Sequence, residues 1–256
     1  MTLTPELEKS YPQEPFRARE AQNLAHIYSW GPVVFQVARL MRKYGIFAML
    51  DASENGLTIS QISESTKLSE YAVKCLLESS LTMHTVLVDP ATDCYRLAKT
   101  GWFLLNDPLI GVDIDFNHDV NYEGWFLLDK ALEEGKPAGL KHFGDWPTIY
   151  EGLSSLPSDV QTSWFGFDHY YSDHSFEEAV EIIFADNKAK HVLDVGGNTG
   201  KFARFVTERQ PEAKVTVCDL PQQLEMMRQQ NQGHPAANRI DGFGMNLLDD
   251  NNQFPN

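Results

Sequence analysis

Val192-Leu-Asp-Val-Gly-Gly-Asn-Thr-Gly200 and, beyond it, Lys214-Val-Thr-Val-Cys-Asp219 are the stretches that decide the fold. An apolar run ends in an acid and a glycine-rich turn. Phe202, Ala203, Phe205 and Val206 then recur at helical spacing, and a second apolar run ends in another acid. Strand, glycine turn, helix, strand, acid is the order of a βαβ unit in a doubly wound sheet. Residues 191–195 are expected as a short buried strand. A second helix is expected from about Pro221 to Gln230, and residues 239–248 could hold a third, weaker strand.

Three ligands compete for such a turn. A dinucleotide fingerprint needs G-x-G-x-x-G, but counting from Gly196 puts Asn198 and Lys201 at the second and third glycine positions. A phosphate loop needs G-x-x-x-x-G-K-[ST], but Val195 stands at the first glycine and Phe202 at the hydroxyl. The third is S-adenosylmethionine, which has no pyrophosphate but carries a cationic amino group and a sulfonium. Asp194 places an acid at the mouth of the first strand. Gly196, Gly197 and Gly200 let a ligand lie against backbone beside a helix N-terminus. Asp219, nineteen residues after Gly200, can accept from two ribose hydroxyls. The competing explanation is a purely structural glycine turn with an incidental acid.

Upstream the pattern is helical. Residues 1–20 are polar, carry three prolines and read as an arm or extended lead-in. Apolar residues from Val33 to Leu50 predict one long helix with much of its surface buried. Thr58-Ile-Ser-Gln61 has the form of a capping box opening a short helix, and Ser69 is a natural N-cap for a third. Residues 85–88 and 94–97 flank a Pro/Asp turn and read as a hairpin. This is the winged-helix order, a DNA-binding shape. The third helix, however, offers only Lys74 against Glu70 and Glu78, and the hairpin sets Arg96 against Asp89 and Asp93. A buried dimer interface explains the apolar first helix better than a surface that reads bases.

The balance of the chain agrees. Its 256 residues carry a formal charge of −15, which repels phosphate backbones and anionic membranes, so neither nucleic acid nor membrane is an expected partner. No apolar run approaches the ~18 residues of a membrane helix. The first nine residues lack the features of a signal peptide. Cys75, Cys94 and Cys218 are odd in number and widely spaced, as expected of reduced residues in a cytoplasmic protein. The eight histidines show no metal-ligand spacing, so no metal is expected. Between the two patterned regions, residues 113–187 hold fourteen of the twenty-nine aromatics. Most are expected to be core packing, with some lining a pocket for a flat or apolar molecule.

These motifs carry a resemblance. The segments 192–200 and Val217-Cys-Asp-Leu-Pro221, behind a winged-helix-like domain, look like the class I S-adenosylmethionine-dependent O-methyltransferases of the caffeic acid and hydroxyindole O-methyltransferase type. Gly45-Ile-Phe-Ala-Met-Leu50, Leu57-Thr-Ile-Ser-Gln-Ile62 and Tyr95-Arg-Leu-Ala-Lys-Thr-Gly101 are similar to that family's dimerisation domain. The resemblance covers roughly residues 25–256. It implies a mixed fold, with an α-helical winged-helix-like dimerisation domain over 1–112 including the arm, a helical linker and acceptor-site segment over 113–187, and a partial Rossmann-like α/β cofactor domain over 188–256.

It also implies roles for residues. Asp194, Gly196, Gly197 and Gly200 would wall the methionine side, with Asn198 in place of the usual central glycine. Asp219 would hold the ribose and Leu220 would lie beside the adenine. Ser175 and Tyr171, in Tyr171-Ser-Asp-His-Ser175, would close the methionine end, and Asn246 would stand near the adenine. Asn tolerates a left-handed backbone better than other non-glycine residues. The expected activity is O-methylation of a small hydroxylated acceptor, aromatic or otherwise, by a homodimer joined through the N-terminal domain.

The departure lies at the end of the chain. Such a sheet has seven strands, and this sequence is expected to stop about 90 residues short of them, at ~25–30 residues per βα unit. The family's general base, usually a histidine, lies beyond the fourth strand, so no catalytic residue is assigned. His169 and His174 read as surface or pocket-lining residues. The alternative function is a non-catalytic, truncated or degenerate relative acting as a dimeric ligand-binding protein.

Overall fold

The computed structural model describes residues 13–186, 189–249 and 254. The chain divides into two compact units, with the boundary after Ile114.

The first unit opens with helix α1 (Ala18–Ser29), so the expected lead-in over 1–20 ends at Arg17; residues 1–12 lie outside the described part. The Glu20 carboxylate accepts from the Arg17 N–H at 2.8 Å, starting the helix from within its first turn. No residue of α1 is buried, and Ile27, Tyr28 and the following Trp30 are exposed.

The single helix expected over 33–50 is two: α2 (Gly31–Lys43) and α3 (Ile46–Asp51). Gly45 separates them with φ +68°, a left-handed conformation that ends a helix at little cost only for glycine. The kink turns Met41, Ile46, Phe47 and Leu50 into one core with Ile62, Val73, Leu77 and Val86. Val33 and Tyr44 stay exposed on the single chain.

Helices α4 (Ile59–Thr66) and α5 (Glu70–Thr82) start where their caps predict. Thr58 and Gln61 exchange capping-box bonds, and the Ser69 hydroxyl accepts from the Ala72 N–H at 3.2 Å. Strands β1 (Val86–Asp89) and β2 (Cys94–Leu97) pair antiparallel with Val86 opposite Leu97, and Leu57 adds a further bridge to Tyr95.

Helix α6 (Lys99–Asn106) closes the unit from two sides. Its terminal carbonyls, Leu104 and Leu105, accept from the Arg42 guanidinium of α2, a cation placed at a helix C-terminus. At its other end Gly101 lies so close to the Thr85 carbonyl that a Cβ there would overlap it. Helix α7 (Pro108–Phe116) runs on across the boundary between the units.

The second unit begins with short helical turns that include α8 (Leu128–Glu134) and α9 (Ile149–Gly152). The longer α10 (Ser158–Asp173) and α11 (Phe176–Ile183) follow. Val120, Leu153, Leu156 and Val160 form a small core here, flanked by Phe116, Phe143, Trp146 and Trp164.

Then come β3 (His191–Val195), α12 (Lys201–Arg209), β4 (Lys214–Asp219), α13 (Pro221–Gln230) and β5 (Ile240–Gly244). The three strands are parallel and adjacent in chain order, with Asp194 opposite Val217 and Val217 opposite Gly242. Val206, Val215, Val217, Leu224 and Met227 form the core under the two helices. Arg239 ties the end of α12 to the sheet by donating to the carbonyls of Thr207, Gln210 and Ala213.

One expectation fails in the sheet. Strand β3 is not buried: Leu193 is 41 % and Val195 49 % exposed. Among the described residues it pairs only with β4, so one edge and the face bearing Leu193 and Val195 lack cover.

Alanine normally favours a helix over glycine by ~1 kcal/mol. At position 101 the sign should reverse, because the Thr85 backbone cannot give way without distorting the hairpin. Gly101→Ala should lower stability by ~1–3 kcal/mol in chemical denaturation. A neutral or stabilised variant would show the contact to be slack.

Candidate functional site

The site is built where β3 and β4 end. The chain leaves β3 through a turn with three left-handed residues, Gly196 (φ +75°), Asn198 (φ +51°) and Gly200 (φ +72°). The Gly196 N–H donates to the Cys218 carbonyl at 2.8 Å, which pins the turn to the end of β4.

Asp194 lies under this turn, and a Cβ on Gly197 would overlap its carboxylate. Its Oδ2 is sealed and has no hydrogen-bond partner. Burial, with the nearby negative charge of Asp219 second, pushes its pKa up to about 6. A carboxylate oxygen held without a partner at a cavity wall is suited to receive a cation.

Asp219 is held differently. Its Oδ2 accepts from the Asn198 N–H at 2.8 Å and its Oδ1 from the Leu220 N–H at 2.7 Å. Each oxygen keeps a lone pair for a further donor. Asn198 is more than a tolerated substitute for glycine. Its side-chain NH2 donates to Asp168 of α10 at 3.1 Å, joining the turn to a helix thirty residues earlier. Asp168 was not among the sequence candidates, since nothing local to it signals a partner so distant in sequence. Lys201 pairs with Asp173 on the same helix.

Two cavities meet at Asp168, Gly196 and Asn198. The first, about 250 Å³, is mixed in character, with Asp194, His169, Ser172, Ser175 and Lys201 in its wall beside Phe176 and Phe202. Burial, and then the charge of Lys201, lower the His169 pKa, so its imidazole is neutral near pH 7. The Ser175 hydroxyl donates to the Ser172 carbonyl at 2.7 Å. The second cavity, about 370 Å³, is lined by Asp219, Leu220, Gln223, Met245 and Asn246 together with Tyr150 and Trp164. Asn246 is engaged in a turn, its Oδ1 accepting from the Leu248 N–H at 3.0 Å.

Of the ten sequence candidates, nine therefore lie in the turn or beside these two cavities. For Gly200 the connection is through the turn itself. Tyr171 is the exception. It is 53 % exposed, lines neither cavity and packs on Phe167 with ring centroids 4.8 Å apart. His169, Ser172 and Ser175 occupy the face of the helical segment that meets the cavity, and Tyr171 projects from another. Gln223, like Asp168, is a lining residue that sequence reading missed.

A third cavity of about 440 Å³ is mostly apolar, with Trp125, Phe143 and Trp164 in its wall, and it shares Thr148 and Trp164 with the second. Other aromatics serve packing, as Phe116 does stacked on Phe167 at 4.0 Å. Among the described residues no group of three or more His, Cys, Asp or Glu could hold a metal ion, and no helix is long and apolar enough to cross a membrane.

Residues 22–95 match the family described as the Dimerisation2-like domain. Demethylspheroidene O-methyltransferase of Rhodobacter capsulatus is 24 % identical over 208 residues, which span 81 % of this chain and 51 % of that protein. Among solved structures, PigF with SAH superposes with a TM-score of 0.65 at 18 % identity, over 91 % of this chain and 68 % of that one. The mitomycin 7-O-methyltransferase MmcR gives 0.64 at 17 % identity, over 89 % and 66 %. The chain thus spans about half the length of the curated relative and about two thirds of the structures it resembles.

The folded pKa of Asp194, about 6, stands above the unfolded value of 3.8. The folded state therefore binds the proton more tightly. Its contribution to stability is complete below about pH 4 and is lost as the pH rises through 6, by about 3 kcal/mol at most. In the ligand-free chain, Asp194→Asn should gain on wild type over that window and run parallel to it above pH 7. A difference that does not change with pH would show that Asp194 is solvated.

Proposed function

We propose that this chain, related by sequence and by fold to S-adenosylmethionine-dependent O-methyltransferases, binds S-adenosylmethionine and serves methyl transfer to a hydroxyl of a small, flat acceptor. The observation that carries this reading is the pair of carboxylates at the tips of adjacent parallel strands. Asp194 has one oxygen, Oδ2, without a partner and suited to a cation, while Asp219 is fixed by backbone N–H groups with lone pairs to spare. A ligand with an ammonium at one end and a ribose diol toward the other matches that pair, and a dinucleotide pyrophosphate does not.

The residues present fit the cofactor. Asp194, Gly196, Gly197, Asn198 and Gly200 would enclose its amino-acid end, with Ser175 across the cavity. Asp219 would accept from the ribose hydroxyls, and Leu220 and Asn246 would border the base. Tyr171 would act only by supporting α10. When bound, the cofactor supplies a methyl group on a cationic sulfur, open to attack by an oxygen nucleophile. The apolar third cavity, beside Trp164, is the natural seat for the acceptor, where Trp125 and Phe143 would hold a flat ring and exclude water.

In this reading residues 1–112 serve dimerisation, 113–187 supply the acceptor site and 188–256 form part of the cofactor domain. The exposed apolar row of Ile27, Tyr28, Trp30, Val33 and Tyr44 is the surface a second copy would cover, making a homodimer through the N-terminal domain. Neither nucleic acid nor membrane is a partner in this reading, and the protein works in the cytoplasm.

One feature favours a second reading, binding without turnover. Leu193 and Val195 lie uncovered on the strand that carries Asp194. A methyltransferase assay with phenolic acceptors separates the two readings, since both predict cofactor binding.

Calorimetry tests the shared part. S-adenosylmethionine and S-adenosylhomocysteine should both bind, more tightly as the pH rises from 5 to 7 and Asp194 ionises. Asp219→Ala should weaken both by ~10-fold or more, the usual cost of removing a charged acceptor. Heat with a dinucleotide and none with either sulfur ligand would overturn the reading.

A further inference from the structure

The second cavity contains a side chain with no role so far. Gln223, the third residue of α13, is 3 % exposed, and neither its Oε1 nor its Nε2 has a hydrogen-bond partner. Buried polar groups are nearly always satisfied, and each exception costs stability that an apolar side chain of similar size would not. Leu224 and Met227, on the same helix, fill the adjoining core without polar atoms. An amide in place of another such residue therefore calls for a partner that the free chain lacks.

The surroundings specify that partner. Gln223 lines the cavity that holds Asp219, four residues earlier, and Leu220, Met245 and Leu247 give it apolar walls suited to the faces of a flat ring. The other two amides in the lining are already engaged, Asn246 by Leu248 and the Asn198 NH2 by Asp168. A primary amide presents an acceptor and donors side by side in one plane. Its complement is a planar edge with a donor beside an acceptor, which adenine offers at its 6-amino group and the adjacent ring nitrogen.

We propose that Gln223 is an adenine-recognition residue, its amide oxygen accepting from the 6-amino group while its NH2 donates to the neighbouring ring nitrogen. The terminal torsion of glutamine is soft, so a turn of the amide presents this edge to the cavity its side chain already lines. The assignment rests on the reading of Asp219 as the ribose acceptor, which places the base toward Leu220 and Gln223. It adds a residue that selects the base to those that hold the sugar and the amino-acid end.

The test pairs a change in the protein with the matching change in the ligand. The chain is titrated with S-adenosylhomocysteine and with its analogue carrying purine in place of adenine, which lacks the 6-amino group. Wild type should bind the purine analogue ~10-fold or more weakly. Gln223→Met should weaken S-adenosylhomocysteine ~10–100-fold and bind the two ligands within about twofold of each other. Without ligand, the same variant should melt ~2–4 °C higher than wild type, because two unsatisfied atoms are gone. Gln223→Leu, measured in the same way, guards against a packing effect peculiar to methionine.

An unchanged preference for the amino group in both variants overturns the assignment while leaving the cofactor reading intact. So does a lower melting temperature in both, which would make Gln223 a structural residue. If wild type binds neither ligand, the reading of Asp219 falls with it.

Discussion

Two backbone N–H groups close on one carboxylate, and the site depends on that grip. Asp219 stands at the tip of β4 and accepts from Asn198, in the turn leaving β3, and from Leu220, at the start of α13. Three segments that could otherwise splay apart are thus held by a single side chain. The bonds are charge-assisted and each satisfies an N–H at the end of an element, where no ladder or helix partner is available. The same carboxylate raises the proton affinity of Asp194. One residue therefore holds the turn and adds to the effect of burial on its neighbour, which is the larger cause.

This arrangement gives the net charge of −15 a local meaning. The two acids differ in how they are held, although they share a wall. Asp219 is bound by two backbone dipoles, while Asp194 is shut away with one oxygen unpaired. Their contrast resembles the general pattern in which paired carboxyls are separated by environment rather than by type. In the proposed reading this separation serves recognition, one acid meeting a diol and the other a cation. The cavity around His169 and Lys201 adds positive and neutral groups near Asp194 without closing on it.

Much of this could be read in the chain before any coordinates. The turn was legible because its backbone makes demands that few residues meet: glycines or asparagine at left-handed positions, and an acid at each strand tip. Caps at Thr58 and Ser69 were legible for the same reason, since the signal lies within four residues. The break at Gly45 was hidden because the apolar pattern continues across it, so periodicity alone sees one helix. The exposure of β3 was hidden too, because burial depends on a strand's neighbours rather than on its own hydrophobicity. The bond between Asp168 and Asn198 spans thirty residues and leaves no local trace. Gln223 passed as an ordinary helix residue, and only its burial without partners sets it apart. The resemblance implies Tyr171 beside Ser175 at the methionine end, whereas the helical period turns it away from the cavity.

Trp164 forms part of the wall of both the second and the third cavity. The two chambers consequently cannot be resized independently at that position. Trimming the indole to admit a bulkier guest on the apolar side would also unwall the chamber that holds Asp219. In the proposed reading, a change in what the apolar chamber admits falls instead to Trp125, Leu128 and Ile149, which border the third cavity and not the second. A shared wall of this kind separates positions free to drift from one held by two masters, and it tells an engineer where to begin.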